Sequence, residues 1–115
     1  MKHTNNANLR RKMYEKLVNE SKEDTIVYLY ILDRRSEKIY IKPINPKCDN
    51  GQTHMLGHEE GIAYRGYVWL RNRDDLKAKE SLIEEQVFKI GCLEEELNER
   101  KRLIEVIKKE LPADN

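Results

Sequence analysis

From Asp74 to Leu111 the chain holds one glycine and no proline, and Leu76, Ile83, Ile90, Leu97, Ile104 and Leu111 recur at every seventh position. Val87, Leu93 and Ile107 fall three or four places from these marks. That interval keeps one apolar stripe turned toward a partner helix, so the stretch predicts a single long helix. Asp74 is the natural N-cap, and Asp74 and Asp75 suit the positive end of the helix dipole. Lys108 and Lys109 suit the last turn, and Pro112 stops it. Glu85 with Lys89, Glu96 with Arg100 and Glu105 with Lys109 stand at i, i+4 with the acid first, the more favourable order. Unbroken, such a helix is about 55 Å long at ~1.5 Å per residue, whereas a strand of ordinary length covers about 25 Å. A sheet can therefore cover its first half and not its second.

The stripe is interrupted by Glu80, Glu94, Arg100 and Lys101, and Gly91 is a bend point costing about 1 kcal/mol relative to Ala. The uncovered half must still shelter its apolar side chains. Self-association is the simplest solution: a two-fold homodimer, coiled-coil-like, through Ile90, Leu93, Leu97, Ile104, Ile107 and Leu111. The competing arrangement is a helical hairpin, for which Cys92–Leu111 has no proline, glycine pair or turn dipeptide. Whether the paired helices run parallel or antiparallel is open.

The remainder reads as a small α+β domain. Residues 1–6 are a loose polar tail. Leu9, Met13 and Leu17 step by four, with Tyr14 and Val18 beside them. This gives a short amphipathic helix from Ala7 to about Lys22, with Arg10, Arg11, Lys12 and Lys16 on its other sides. Thr25–Leu32 is β-branched and aromatic throughout, a strand. Lys38–Ile44 alternates, and the two runs form an antiparallel hairpin ended by Pro43 and Pro46. Asn45–Gly61 is a long loop. Ile62–Leu70 is a third strand, with Gly66 marking a bulge or a close backbone approach. The expected fold is a three-stranded antiparallel sheet with a short N-terminal helix and a long C-terminal one. The expected division is residues 1–73 for helix plus sheet and 74–115 for the long helix.

Charged residues are 37% of the 115, yet the net charge is only +1. That balance lacks the basic excess usual in nucleic-acid binders. Cys48 and Cys92 make no disulfide framework, and a reduced, cytoplasmic setting is expected, with no apolar leader and no membrane span.

Few residues carry recognisable chemistry. Cys48, His54 and His58, with Asp49 adjacent, are zinc-ligand types, but their spacing matches no standard finger. The expectation is two solvated histidines in a mobile loop, and no metal or cofactor. No phosphate-binding loop, dinucleotide fingerprint or zinc-protease motif is present, and the chain reads as a non-enzyme. The most suggestive surface is on the sheet. If Val27, Leu29, Ile31, Ile39, Ile41, Val68 and Leu70 face the long helix, the other face carries Tyr28, Tyr30, Tyr40, Tyr67 and Trp69. Lys38, Lys42, Arg65 and Arg71 lie among them. Aromatics among cations suit a protein interface or the stacking of bases and neutralising of phosphates. Alternatively, the N-terminal helix covers them as a second core layer. The expected partner-binding set is Tyr28, Tyr30, Tyr40, Arg65, Tyr67, Trp69 and Arg71.

The run Arg65-Gly66-Tyr67-Val68-Trp69-Leu70-Arg71-Asn72-Arg73-Asp74-Asp75-Leu76-Lys77-Ala78-Lys79 leads through Ile83-Glu84-Glu85 into a charged helix. It resembles small accessory proteins encoded by phages and prophages of Gram-positive bacteria, over roughly the last half of the chain. The resemblance implies a setting in the host cytoplasm and action by binding, and inhibiting, a host protein such as a defence nuclease. It transfers no role to any residue.

Overall fold

The computed structural model describes residues 7–48 and 53–111. Helix α1 spans Ala7–Glu20, strand β1 Val27–Asp33 and strand β2 Lys38–Ile44. After a 3-10 turn at Pro46–Cys48 come a one-turn helix α2, Thr53–Leu56, strand β3, Tyr67–Leu70, and helix α3, Asp75–Glu110. The expected α+β layout is observed. The tail at residues 1–6, Asp49 and Pro112 lie outside the described residues. No helix among the described residues is long and apolar enough to cross a membrane.

The three strands form one antiparallel sheet in the order β2-β1-β3. β1 is therefore the central strand and pairs along its whole length with β2, from Val27 opposite Ile44 to Asp33 opposite Lys38. Pro43 sits inside β2 instead of ending it. An edge strand tolerates this, because one side of its backbone has no ladder to complete.

Both faces of β1 are covered. On one, Tyr30, Val68 and Leu70 pack with Ala63 and with Ala78 and Leu82 of α3, and Tyr28, Leu32 and Ile41 lie against that cluster. On the other, Val27, Leu29 and Trp69 pack with Leu17 of α1 and Leu56 of α2, with Tyr14, Ile31, Ile44, Met55 and Tyr67 beside them. Helix α1 ends where the Ser21 hydroxyl and amide both donate to the Leu17 carbonyl, at 2.6 Å and 3.1 Å.

The start of α3 is fixed by three side chains. Asp74 is the N-cap, its carboxylate accepting from the Lys77 amide at 3.0 Å. Asp75 accepts from the Tyr30 hydroxyl at 2.7 Å, and the same hydroxyl accepts from the Asp74 amide at 3.1 Å. One phenol from the central strand thus ties down the helix N-terminus. Burial, then the bond to Asp75, pushes the Tyr30 hydroxyl above the ordinary phenol range. The Arg73 guanidinium, bonded to Asp75 at 3.1 Å, and then the Tyr30 hydroxyl hold the Asp75 carboxyl below its usual range.

Strand β3 is shorter than expected, and Gly66 does not sit in it. Arg65 and Gly66 have φ of 54° and 83°. Tyr64 and Tyr67 exchange amide-to-carbonyl bonds at 2.8 Å and 3.0 Å. Two successive positive φ values closing such a pair are the type I′ pattern, which needs a residue tolerant of the left-handed region at its second position. Gly66 supplies it. The two turn amides point at α3, where Glu85 accepts both, from Arg65 at 2.7 Å and from Gly66 at 2.9 Å. Glu85 is 5% exposed.

The long loop is also not as expected. Leu56 and His58 are buried, so α2 and the residues after it form part of the core instead of a solvated connection. The chain divides into two compact units between Glu85 and Gln86. In the second unit α3 continues as a helix to Glu110 with no reversal, which excludes the hairpin.

Replacing Glu85 by Gln leaves one acceptor oxygen for two backbone amides, one part-buried and one buried. The expected loss is about 1–3 kcal/mol, read from denaturant unfolding of the first unit, and Glu85→Ala should lose at least as much. Asp75 has a depressed native pKa, so its contribution is complete above the unfolded carboxylate value of about 4. It disappears as pH falls through the lower native value. Asp75→Asn should flatten that acid limb in a pH series of thermal melts.

Candidate functional site

The register of β1 decides which aromatic side chains reach solvent. Tyr30 stands opposite Val68 and Ile41, while Leu29 stands opposite Trp69. Directly opposed residues of an antiparallel pair share a face. Tyr28 and Tyr30 therefore lie on the α3 side with Val68, Leu70, Ile39 and Ile41. Val27, Leu29 and Ile31 lie on the opposite side with Tyr40, Tyr67 and Trp69. The expected single face of five aromatics is not formed. The assignments within β2 and β3 hold, but β1 is turned over relative to them, a shift of one residue in phase.

The seven expected binding residues consequently separate. Tyr30 is buried and bonded to Asp75, and Tyr28 packs partly buried beside it. Trp69 is 4% exposed, its indole N–H donating to the His58 carbonyl at 2.8 Å. For Trp69 the second-core-layer alternative describes the structure, with α1 and α2 as the covering elements. Arg71 lies over the Trp69 ring at 5.5 Å and bridges Glu20 and Glu60, each at 3.3 Å. It closes the rim between α1, the segment before β3 and the sheet. Arg65 stacks on Tyr64 at 5.4 Å, and Arg10 of the α1 basic cluster approaches the same ring at 5.5 Å.

Two members of the set, Tyr40 and Tyr67, remain together. Ile31 is opposite Tyr40 on β2 and opposite Tyr67 on β3, so the three form one row across the sheet. They line an open groove of about 860 Å³ that runs onto the turn after β1. Leu32, Asp33, Arg34, Arg35 and Lys42 complete its wall. Tyr40 is 45% exposed. Asp33 accepts from the backbone amide of Arg35 at 3.0 Å and from that of Ser36 at 3.5 Å. The first of these bonds in particular holds its carboxyl below the usual range. Its charge thus organises the turn, while Arg34, Arg35 and Lys42 project as exposed cations, none of them in an ion pair among the described residues.

Arg34 and Arg35 were not in the expected set. They read as turn chemistry between two strands, and only the placement of the turn beside Tyr40 and Tyr67 makes them part of a site. The groove wall contains no histidine, cysteine or serine. It is equipped to hold a negatively charged segment and pack an apolar side chain against two tyrosines.

The possible metal set is not assembled. Cys48 is exposed, and His58, expected in solvent, is 1% exposed with its ring 5.7 Å from that of Tyr64. The side chain of His54 lies outside the description, and among the described residues no group of three metal-ligand side chains is present.

The two kinds of aromatic residue should separate in stability measurements. Trp69→Ala removes a buried ring and orphans the His58 carbonyl, with an expected cost of about 3–5 kcal/mol. Tyr40→Ala at the exposed groove should stay within about 0.5 kcal/mol of the parent. Equal effects in urea titrations would show that the groove tyrosine is core. No protein-family model, curated protein or solved structure matches the chain.

Proposed function

We propose that this chain is a non-enzymatic interaction protein that binds another protein through the groove at Ile31, Tyr40 and Tyr67. Of the readings the sequence allows, an accessory factor of the phage and prophage type, acting on a host protein such as a defence nuclease, suits this surface. The observation that carries the proposal is the row of two tyrosines about Ile31, flanked by Arg34, Arg35 and Lys42. Tyrosine and arginine are the usual anchors of protein interfaces: tyrosine offers a large rigid contact with little entropy lost, and arginine a planar fork of donors that suits carboxylates. Three cations against the single carboxylate of Asp33 favour an acidic partner segment.

A nucleic-acid reading uses the same cations and tyrosines. It is the weaker reading, because stacking along a strand needs a succession of exposed rings. Tyr28, Tyr30 and Trp69 are turned away or buried, which leaves two rings on this face.

Tagged chain should retain a discrete protein from bacterial lysate, with retention unchanged by nuclease treatment. The variant Arg35→Glu/Lys42→Glu/Tyr40→Ser should lose that protein while melting like the parent. Retention that vanishes with nuclease and falls steeply with salt would transfer the groove to nucleic acid. Retention that survives the triple variant would remove the groove from the function.

A further inference from the structure

The second unit leaves an apolar seam in solvent, broken once by Arg100. Taking Ile90 as the first core position of a heptad, the two core positions run Ile90, Leu93, Leu97, Arg100, Ile104, Ile107 and Leu111. Six of these seven are apolar, and those six are 49–73% exposed on the helix. Three turns of heptad with one polar interruption are far more than scattered surface leucines require.

The flanks of the seam identify its occupant. Beside it stand Lys89, Glu96 and Glu110 on one side and Glu94, Lys101 and Lys108 on the other. Leu103 completes the first flank, and wherever charges of a second copy meet across the seam they are opposite. In a parallel, in-register pair Lys89 faces Glu94 and Glu96 faces Lys101. In an antiparallel pair centred between Asn98 and Glu99, Glu94 faces Lys101 and Lys89 faces Glu110. Flanking charges of this kind set partner choice in coiled coils, and this sequence is its own complement.

Arg100 separates the two orientations. In the parallel pair it faces Arg100 of the other copy at a core position, where the side chains point at each other. Like charges there are destabilising, and no acid occupies the facing core position. In the antiparallel pair Arg100 faces Leu97 and comes level with Glu96 of the other copy. Within its own helix Arg100 already lies 3.8 Å from Glu96, so its charge is compensated from both chains. The same alignment stacks Ile90 on Ile107 and Leu93 on Ile104, and brings Gln86 opposite Leu111. The overlap then runs from Gln86 to Leu111, wholly within the second unit.

We infer that this helix segment joins two copies of the chain in an antiparallel two-stranded coil with Leu97 packed against Arg100 of the other copy. The inference is independent of the groove, since it uses other residues and another readout.

Sedimentation equilibrium of the full chain at micromolar concentration should give the dimer mass. Leu97→Glu/Ile104→Glu should give the monomer mass with the unfolding transition of the first unit unchanged. Orientation is read by cross-linking in a Cys48→Ser/Cys92→Ser background. Leu93→Cys chains mixed with Ile104→Cys chains should oxidise to a covalent dimer, and neither variant alone should do so. A monomeric parent overturns the inference, and so does dimerisation of Leu97→Glu/Ile104→Glu. Efficient cross-linking of Leu93→Cys by itself overturns it in favour of the parallel pair.

Discussion

A buried carboxylate is costly unless its acceptor sites are filled, and Glu85 fills them with the two amides of a tight turn. The turn needs the helix as much as the helix needs the turn. With Arg65 and Gly66 both at positive φ, their N–H groups point out of the hairpin, where β3 has no further strand among the described residues to accept them. Glu85 supplies the acceptor from α3, so its charge meets two backbone donors, of which the Gly66 amide would otherwise be buried without a partner. The other end of the contact is the Tyr30 hydroxyl between Asp74 and Asp75. Between these two polar clamps Ala78 and Leu82 make the apolar contact, and Ser81 donates to the Gly61 carbonyl at 2.5 Å. Glu85 is also the last buried residue of α3.

These clamps explain why the central strand presents its tyrosines to α3. A helix N-terminus packed on a sheet offers orphan amides and acidic capping residues, and a phenol can answer both from a partly apolar position. Leucine at position 30 could fill the space but would leave the Asp74 amide without its acceptor. The opposite side of β1 meets α1 and α2 through Leu17 and Leu56, and it is lined by Val27 and Leu29. The bonds of Tyr30 at the helix terminus thus fit the phase that the pairing of β1 with β3 gives it.

This is also why the fold was more legible in the sequence than the site was. Heptad spacing, the Asp74 cap and the β-branched run at Thr25–Leu32 are local signals, and each produced the element expected of it. The face of a strand with apolar residues at both parities is not local. Val27, Leu29 and Ile31 and their neighbours Tyr28, Tyr30 and Leu32 could each line a core, and only pairing with Val68 and Trp69 on β3 chooses between them. Gly66 misled for a related reason. A glycine between Arg65 and Tyr67 suits a bulge as well as a turn, and the distinction rests on Glu85, nineteen residues away. The burial of Leu56 and His58 is not legible in the sequence, because they stand in a polar stretch where one leucine has no periodicity to announce it.

Helicity in the second half of α3 needs separate treatment from its apolar seam. A helix in water is limited by its nucleus, and here the nucleus is already built on the sheet by Asp74, Ala78 and Leu82. Propagation past Gly91 costs about 1 kcal/mol. The Glu96–Arg100 and Glu105–Lys108 pairs at 3.8 Å and 3.9 Å return a few tenths each, as roughly expected for exposed i, i+4 and i, i+3 contacts. Such a helix can persist as an extension of a folded body without touching anything else. What propagation does not explain is why its core positions are isoleucine and leucine. A solvated extension is served as well by alanine, glutamate and lysine, with better helix propensity than isoleucine and no exposed apolar area. The heptad pattern in this half is thus not required for helix formation, and it leaves Ile90, Leu93, Leu97, Ile104, Ile107 and Leu111 exposed on the helix.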